Sequence, residues 1–229
     1  MVAFSFHPSS NHSSIYSCAS FLVLNSLVLY PALKELFEIK DEGKEILGII
    51  DSAVLLFDNE DFSYRKQEIS NNLGLKDCEK YFNAGIVLFY MKNITNLEEY
   101  SNRLCSAFNN ENLPWQDQDI LNLIFANSTK LISWTWNFQY HLLFLHKGCI
   151  RTTNAELLQD FSNSINNPKI IHFTSNKKPW HYPDLPFAKD FWQYARKSPY
   201  YEEILQSMTE KQLISSAQET MLYINCQSI

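Results

Sequence analysis

The sequence predicts an α/β protein, a sheet with helices packed against it. Two observations carry this prediction. Apolar runs of strand length alternate with segments whose apolar residues recur at helical spacing, and clusters of turn residues separate the two kinds. Past Pro186 the pattern becomes purely helical, which sets a tail apart from the alternating part.

In chain order, "FLVLNSLVLY" (21–30) is strand-like with a polar break at Asn25 and Ser26. "PALKELFEI" places Pro31 in a first helical turn, with Leu33, Leu36 and Phe37 on one face. "EILGIID" and "GIVLFYM" are apolar runs of strand length. Thr95 and Glu98 form a capping-box pattern, and Leu97, Tyr100, Leu104 and Phe108 follow as the apolar face of a helix over 95–109. A further helix starts at "PWQDQDILNLIF", with Leu121, Ile124 and Phe125 inward. A strand near Leu131–Trp134, a long irregular stretch and a strand over Lys169–Phe173 complete the alternating part. The tail reads as helix from Phe187 to about Asn225. Three segments follow from this: an uncharged N-terminal segment over 1–24, a core over 25–185 and a helical tail over 186–229.

Bulk composition narrows the function. With 229 residues the chain can bury one substantial core. A net charge of −6 lacks the basic surplus of a nucleic-acid binder. The five cysteines have no metal or redox spacing, as expected of free thiols in a reducing compartment. Residues 1–33 carry no Asp, Glu, Lys or Arg, so the positive n-region of a signal peptide is missing. The run 21–30 is short for a membrane span, and a membrane anchor there is the weaker reading. These features point to a cytoplasmic protein, or one at the cytoplasmic face of the membrane in peripheral contact with it.

Three clusters could carry chemistry. In "YFNAGIVLFY", Asn83, Ala84 and Gly85 precede a strand, where Gly85 permits close backbone approach. In "WQDQDILNLIF", Asp117 and Asp119 enter a helix whose exposed N–H groups stabilise carboxylates, and Gln118 is a neutral polar group between them. In "IIHFTSNKKPWHYP", His172 ends an apolar run, and Lys177 and Lys178 follow in a loop. A histidine at a strand's carboxyl end with lysines beside it suits an anionic ligand. Each cluster taken alone is better explained as a turn, a helix start or a solvated loop.

The blocks "YFNAGIVLFYMKN", "DQDILNLIF", "WNFQY" and "IIHFTSNKKPWHYP", in this order and spacing, resemble the family 8 retaining glycosyltransferases. These include bacterial lipopolysaccharide and capsule hexosyltransferases and, more distantly, glycogenin. "FWQYARKSPYYEEIL" is similar to the tail of the surface-polysaccharide members. The resemblance spans about Leu24 to Tyr201. It implies a GT-A-like mixed sheet flanked by helices, a UDP-hexose donor, a lipopolysaccharide or other glycan acceptor, and Mn2+ or Mg2+. It further implies that Asn83, Ala84 and Gly85 line the donor sugar, and that Asp117 holds its hydroxyls. Gln118 would stand at the reacting centre, His172 would ligate metal, and Lys178 and Ser175 would meet the diphosphate. Ser175 replaces the family's usual glycine.

The amino-terminal part departs from the family. Asn25, Ser26 and Leu27 occupy the place of the family's metal-binding Asp-x-Asp. Upstream, 1–24 does not resemble the family's nucleotide-binding half. Hard divalent cations need several oxygen ligands, so weak or absent metal binding is expected of this chain. The expectation is an N-terminally truncated fold, either as a truncated or frame-shifted transferase, or as an inactive remnant serving as a binding or scaffold protein.

Overall fold

The apolar run at 46–49 becomes an inner strand of the larger sheet. A computed structural model describes residues 2–5, 19–23, 26–28, 32–56, 63–110, 113–144, 154–174 and 177–210. In chain order the elements are β1 (Val2–Ser5), β2 (Ala19–Val23), β3 (Ser26–Val28), α1 (Ala32–Phe37), β4 (Ile46–Ile49), α2 (Ser63–Leu73) and β5 (Ile86–Tyr90). There follow α3 (Leu97–Phe108), α4 (Gln116–Phe125), β6 (Thr129–Ile132), β7 (Phe138–Gln139), α5 (Ala155–Asn166), β8 (Ile170–His172) and α6 (Ala188–Ala195). Short 3-10 turns cover Ser52–Leu56, Trp134–Asn137 and Tyr140–Phe144.

Five strands form one sheet in the order β1-β2-β5-β4-β6, antiparallel except for the β4–β6 pair. A second sheet has the order β3-β8-β7, with β3 antiparallel and β7 parallel to β8. Side-chain alternation divides the core between the two faces of the larger sheet. Leu47, Ile49, Ile86 and Leu88 join Trp134, Trp136 and Ile170 on one face. Ile46 and Val87 join Phe82, Ile124 and Phe125 on the other. Gly48 admits this packing, since a Cβ there would stand 3.1 Å from both the Phe82 ring and the Thr129 methyl.

The described residues of the run 21–30 lie on β2 and β3, in two different sheets, in keeping with its strand-like pattern and polar break. Among the described residues no helix is long and apolar enough to cross a membrane. Several elements differ from the sequence reading. The helix expected to start at Thr95 is capped instead by Asn96, whose side chain accepts the Glu99 N–H at 3.1 Å and donates to the Glu99 carboxylate at 3.0 Å. Its buried stripe is also rotated. Leu97 and Phe108 are 61% and 80% exposed, whereas Ala107 is buried and Tyr100 stacks on Phe125 at 5.3 Å.

Helix α5 lies in the stretch read as irregular. Asn154 caps it by accepting the Glu156 and Leu157 N–H groups, and Leu157 and Phe161 pack on the core. Helix α2 escaped notice because its buried positions are Arg65 and Ile69, which show no apolar stripe.

Clustering of contacts divides the chain into two compact units, Met1–His172 and Phe173–Ile229, ahead of the break read at Pro186. In the second unit the expected continuous helix is interrupted. Residues 196–200, which include Pro199, form turns between α6 and a helix over 201–210. The remainder of the expected tail lies outside the described residues.

Leu88, wholly buried on β5, and Phe108, exposed on α3, provide a direct check of this core. In urea melts, Leu88→Ala should cost about 2–5 kcal/mol. Phe108→Ala should stay within about 0.5 kcal/mol of the parent.

Candidate functional site

The carboxyl end of β4 delivers Asp51 into the interior, where it is only 3% exposed. The backbone holds it there, as Asp51 N–H donates to the Tyr81 carbonyl and Asn83 N–H donates to the Ile49 carbonyl. A buried carboxylate must collect donors. Asp51 Oδ1 accepts the Ala53 N–H at 2.8 Å, and Oδ2 accepts Asn83 Nδ2 at 2.8 Å and Gln118 Nε2 at 3.1 Å.

From this acid the orientation of each neighbouring amide follows. Asn83 turns Nδ2 toward Asp51 and toward Gln118 Oε1, 3.0 Å away. Its Oδ1 then faces back and accepts Gly85 N–H and Asn137 Nδ2, both at 2.9 Å. Asn137 in turn presents Oδ1 to His172 Nδ1 at 3.0 Å, so the imidazole carries its proton on Nδ1 and donates. Gln118 is engaged at all four of its hydrogen-bonding positions. Oε1 accepts Asn83 Nδ2 and the Ala84 N–H, while Nε2 donates to Asp51 and, at 3.0 Å, to the Tyr81 hydroxyl.

Gly85 is required by this arrangement. A Cβ there would stand 2.0 Å from His172 Cε1 and 2.4 Å from Nδ1, so only glycine lets the imidazole lie against the backbone.

A further layer supports Gln118. Tyr81 OH donates to Asp119 Oδ1 at 2.7 Å, and Arg65 Nη2 donates to both that hydroxyl and that carboxylate. Burial, with the Asp51 and Asp119 charges, drives the Tyr81 pKa far above its ordinary value. Burial opposes the charge on Arg65, but the Asp119 hydrogen bond, the Tyr81 and Asp119 charges and the Glu68 hydrogen bond together outweigh it, and the pKa is raised above the usual value. Beside the acid, Ser52 Oγ donates to Gln139 Oε1 at 2.6 Å and lies 3.4 Å from His141 Nε2. Gln139 Nε2 is buried and, among the described residues, has no hydrogen-bond partner.

The structure thus brings together Asn83, Ala84, Gly85, Gln118 and His172, all singled out from the sequence. Asp117 is adjacent along α4 but exposed, its Oδ1 accepting the Gln118 N–H at 3.0 Å. It borders an open cavity of about 350 Å³ lined by Pro114, Trp115, Gln116 and Gln118. A larger cavity of about 720 Å³ lies along α3 and α4 and includes none of the clustered polar residues.

Lys178 belongs to the second unit, where Nζ donates to the Phe173 carbonyl and burial lowers its pKa. Ser175 and Asn25 lie outside the described residues. Asp51, Tyr81, Arg65 and Asn137 were missed from sequence. Asp51 had a signal, an acid closing the apolar run "EILGIID"; the others did not.

Among the described residues no group of three or more His, Cys, Asp or Glu could hold a metal ion. Register places Ser26, not an acid, opposite His172 on β3.

A protein-family model, glycosyl transferase family 8, matches residues 27–184. General stress protein A of Bacillus subtilis (strain 168) is 27% identical over 137 residues, covering 56% of this chain and 46% of that protein. A lipopolysaccharide 1,2-glucosyltransferase of Escherichia coli is 28% identical over 104 residues, covering 44% of this chain and 29% of that protein. The chain therefore spans less than half the length of either relative.

Among solved structures, the apo form of the bifunctional glycosyltransferase WbbM superposes with a TM-score of 0.63 at 19% identity, over 82% of this chain and 34% of that one. The galactosyltransferase LgtC, in complex with donor and acceptor sugar analogs, gives 0.58 at 24% identity, over 78% of this chain and 60% of that one. These likenesses establish a GT-A fold.

Two measurements check the site. Gly85→Ala should destabilise the protein, and His172→Ala should relieve that loss. The double-mutant cycle should give a coupling of about 1–3 kcal/mol, whereas additive losses would mean that ring and glycine do not touch.

Burial holds the His141 pKa below its ordinary value, against the opposing Asp51 charge. A histidine buried in its neutral form contributes stability above its unfolded pKa of about 6.5, and that contribution is lost as acid forces it to charge. Melting midpoints should therefore fall from pH 7 toward pH 5, and less steeply in His141→Asn.

Proposed function

Because the chain belongs to glycosyl transferase family 8, we propose that it is a glycosyltransferase. It transfers a hexose from a UDP-sugar to a lipopolysaccharide or other surface-glycan acceptor, with retained configuration. The observation that carries this reading is the hydrogen-bonded cluster of Asp51, Asn83, Ala84, Gln118 and His172 at the ends of β4 and β8. The glucosyltransferase relative supports glycosyl transfer as its class.

The chain's own residues have distinct parts in this reading. Asp51 accepts three hydrogen bonds, and a carboxylate has room for about four, so one sugar hydroxyl can donate to it. Asp117, exposed at the start of α4, accepts further hydroxyls. Gln118 serves as a positioner. A neutral amide is a poor nucleophile, and both acceptor directions of Oε1 are already taken. Retention then proceeds by front-face attack. The acceptor oxygen bonds to the anomeric carbon as its bond to the diphosphate breaks, and the acceptor's proton passes to the departing diphosphate. Lys178, with Ser175, meets the diphosphate and stabilises its developing charge.

A second reading, a catalytically inactive binding or scaffold protein, is favoured by one observation, the uncharged Ser26 opposite His172 in register. UDP release over a panel of UDP-hexoses, with manganese and a glycan acceptor, separates the two. We expect slow release by the unmodified chain, and a rise of roughly a thousandfold when Asn25→Asp and Leu27→Asp supply carboxylates. Binding of a UDP-hexose without release by either protein would favour the binding reading.

A further inference from the structure

We propose that Arg65 and Tyr81 are positioning residues of the candidate site, fixing the Gln118 carboxamide and the first turn of α4 through Asp119. The proposal rests on the transferase reading for its kinetic consequence and on geometry alone for its structural one.

Three features carry it. First, Tyr81 OH donates to Asp119, so its oxygen can only accept from Gln118. Arg65 Nη2 also donates to that oxygen, at 2.7 Å, and makes its proton point at Asp119. A reversed carboxamide would set Oε1 against the Asp51 carboxylate and Nε2 against the Ala84 N–H. The hydroxyl therefore reinforces a single amide orientation.

Second, the clamp reaches the helix start that presents Asp117 and Gln118. Asp119 Oδ2 accepts the Trp115 N–H at 2.9 Å, and the Arg65 guanidinium lies 4.7 Å from the centre of the Trp115 ring. Between these anchors Gln116 adopts φ +45°, a left-handed conformation that a non-glycine residue keeps only when its surroundings enforce it.

Third, the clamp is expensive to bury. Arg65 and Asp119 are 2% and 1% exposed, and a buried ion pair gives little stability beyond what packed apolar residues would give in its place. A role in orientation accounts for its presence on the otherwise polar helix α2.

The test centres on Tyr81→Phe, which deletes the relay but leaves the Arg65–Asp119 pair and the ring packing in place. Arg65→Met removes the charge as well, but leaves Asp119 buried without its cation and can fail to fold, so Tyr81→Phe decides. The readout independent of activity is the Gln118 side-chain amide in nitrogen–proton correlation spectra of the full chain, assigned by its loss in Gln118→Met. In Tyr81→Phe the amide pair should shift and exchange faster with solvent. The kinetic readout is UDP-hexose turnover, for which kcat should fall about tenfold or more while KM for the donor stays within about twofold. A purely structural role would lower the melting temperature but leave both readouts unmoved. An unchanged Gln118 amide in folded Tyr81→Phe overturns the proposal. If the parent chain shows no turnover, the transferase reading fails, and the amide readout by itself decides the positioning role.

Discussion

The buried carboxylate of Asp51 sets the constraint from which the rest of the site follows. An acid taken out of water must gather donors or give up its charge, and here three N–H groups from three separate segments converge on it. That demand propagates outward with a fixed polarity. Asn83 must turn its NH2 inward, so its oxygen must face Asn137. Asn137 must then turn its own oxygen toward His172, which fixes the imidazole proton on Nδ1. Four side chains that are far apart in sequence thus share one direction of donation, ending at one carboxylate.

Such a network is worth its burial only if it is complete, since a half-satisfied polar core is worse than an apolar one. Completeness here depends on the two apolar faces of the larger sheet. Leu47, Ile49 and Leu88 on one side, with Ile46, Phe82 and Val87 on the other, hold the strand ends in place and leave the polar groups little freedom to reorient. The bridge between Ile50 and Phe82 carries the register from the sheet to the residues on either side, Asp51 and Asn83. Gly85 then allows His172 to approach the backbone more closely than any side chain would permit.

In the smaller sheet Ser26 stands opposite His172, so β3 runs beside the histidine with no carboxylate at that register position.

From the sequence alone, the α/β class could be read, together with the strands at 46–49 and 86–90 and helix α4, while Asn83, Gly85, Gln118 and His172 came forward as candidates through the family resemblance. Local pattern reaches that far because hydrophobic period and turn chemistry are properties of neighbouring residues. Helix α2 was invisible because one of its two buried residues is an arginine, whose burial makes sense only beside Asp119, 54 positions away. The α3 stripe was only partly right because the helix meets α4 through Tyr100 on Phe125 and buries Ala107, which leaves Leu97 and Phe108, the ends of the expected stripe, exposed. Whether Asp117 or Asp119 faced inward was equally open, since both fit a helix N-terminus. Tertiary structure decided it by placing Arg65, Tyr81 and the Trp115 N–H around Asp119 and leaving Asp117 to solvent. Partners that satisfy a buried charge come from other segments, and no periodicity along the chain encodes them.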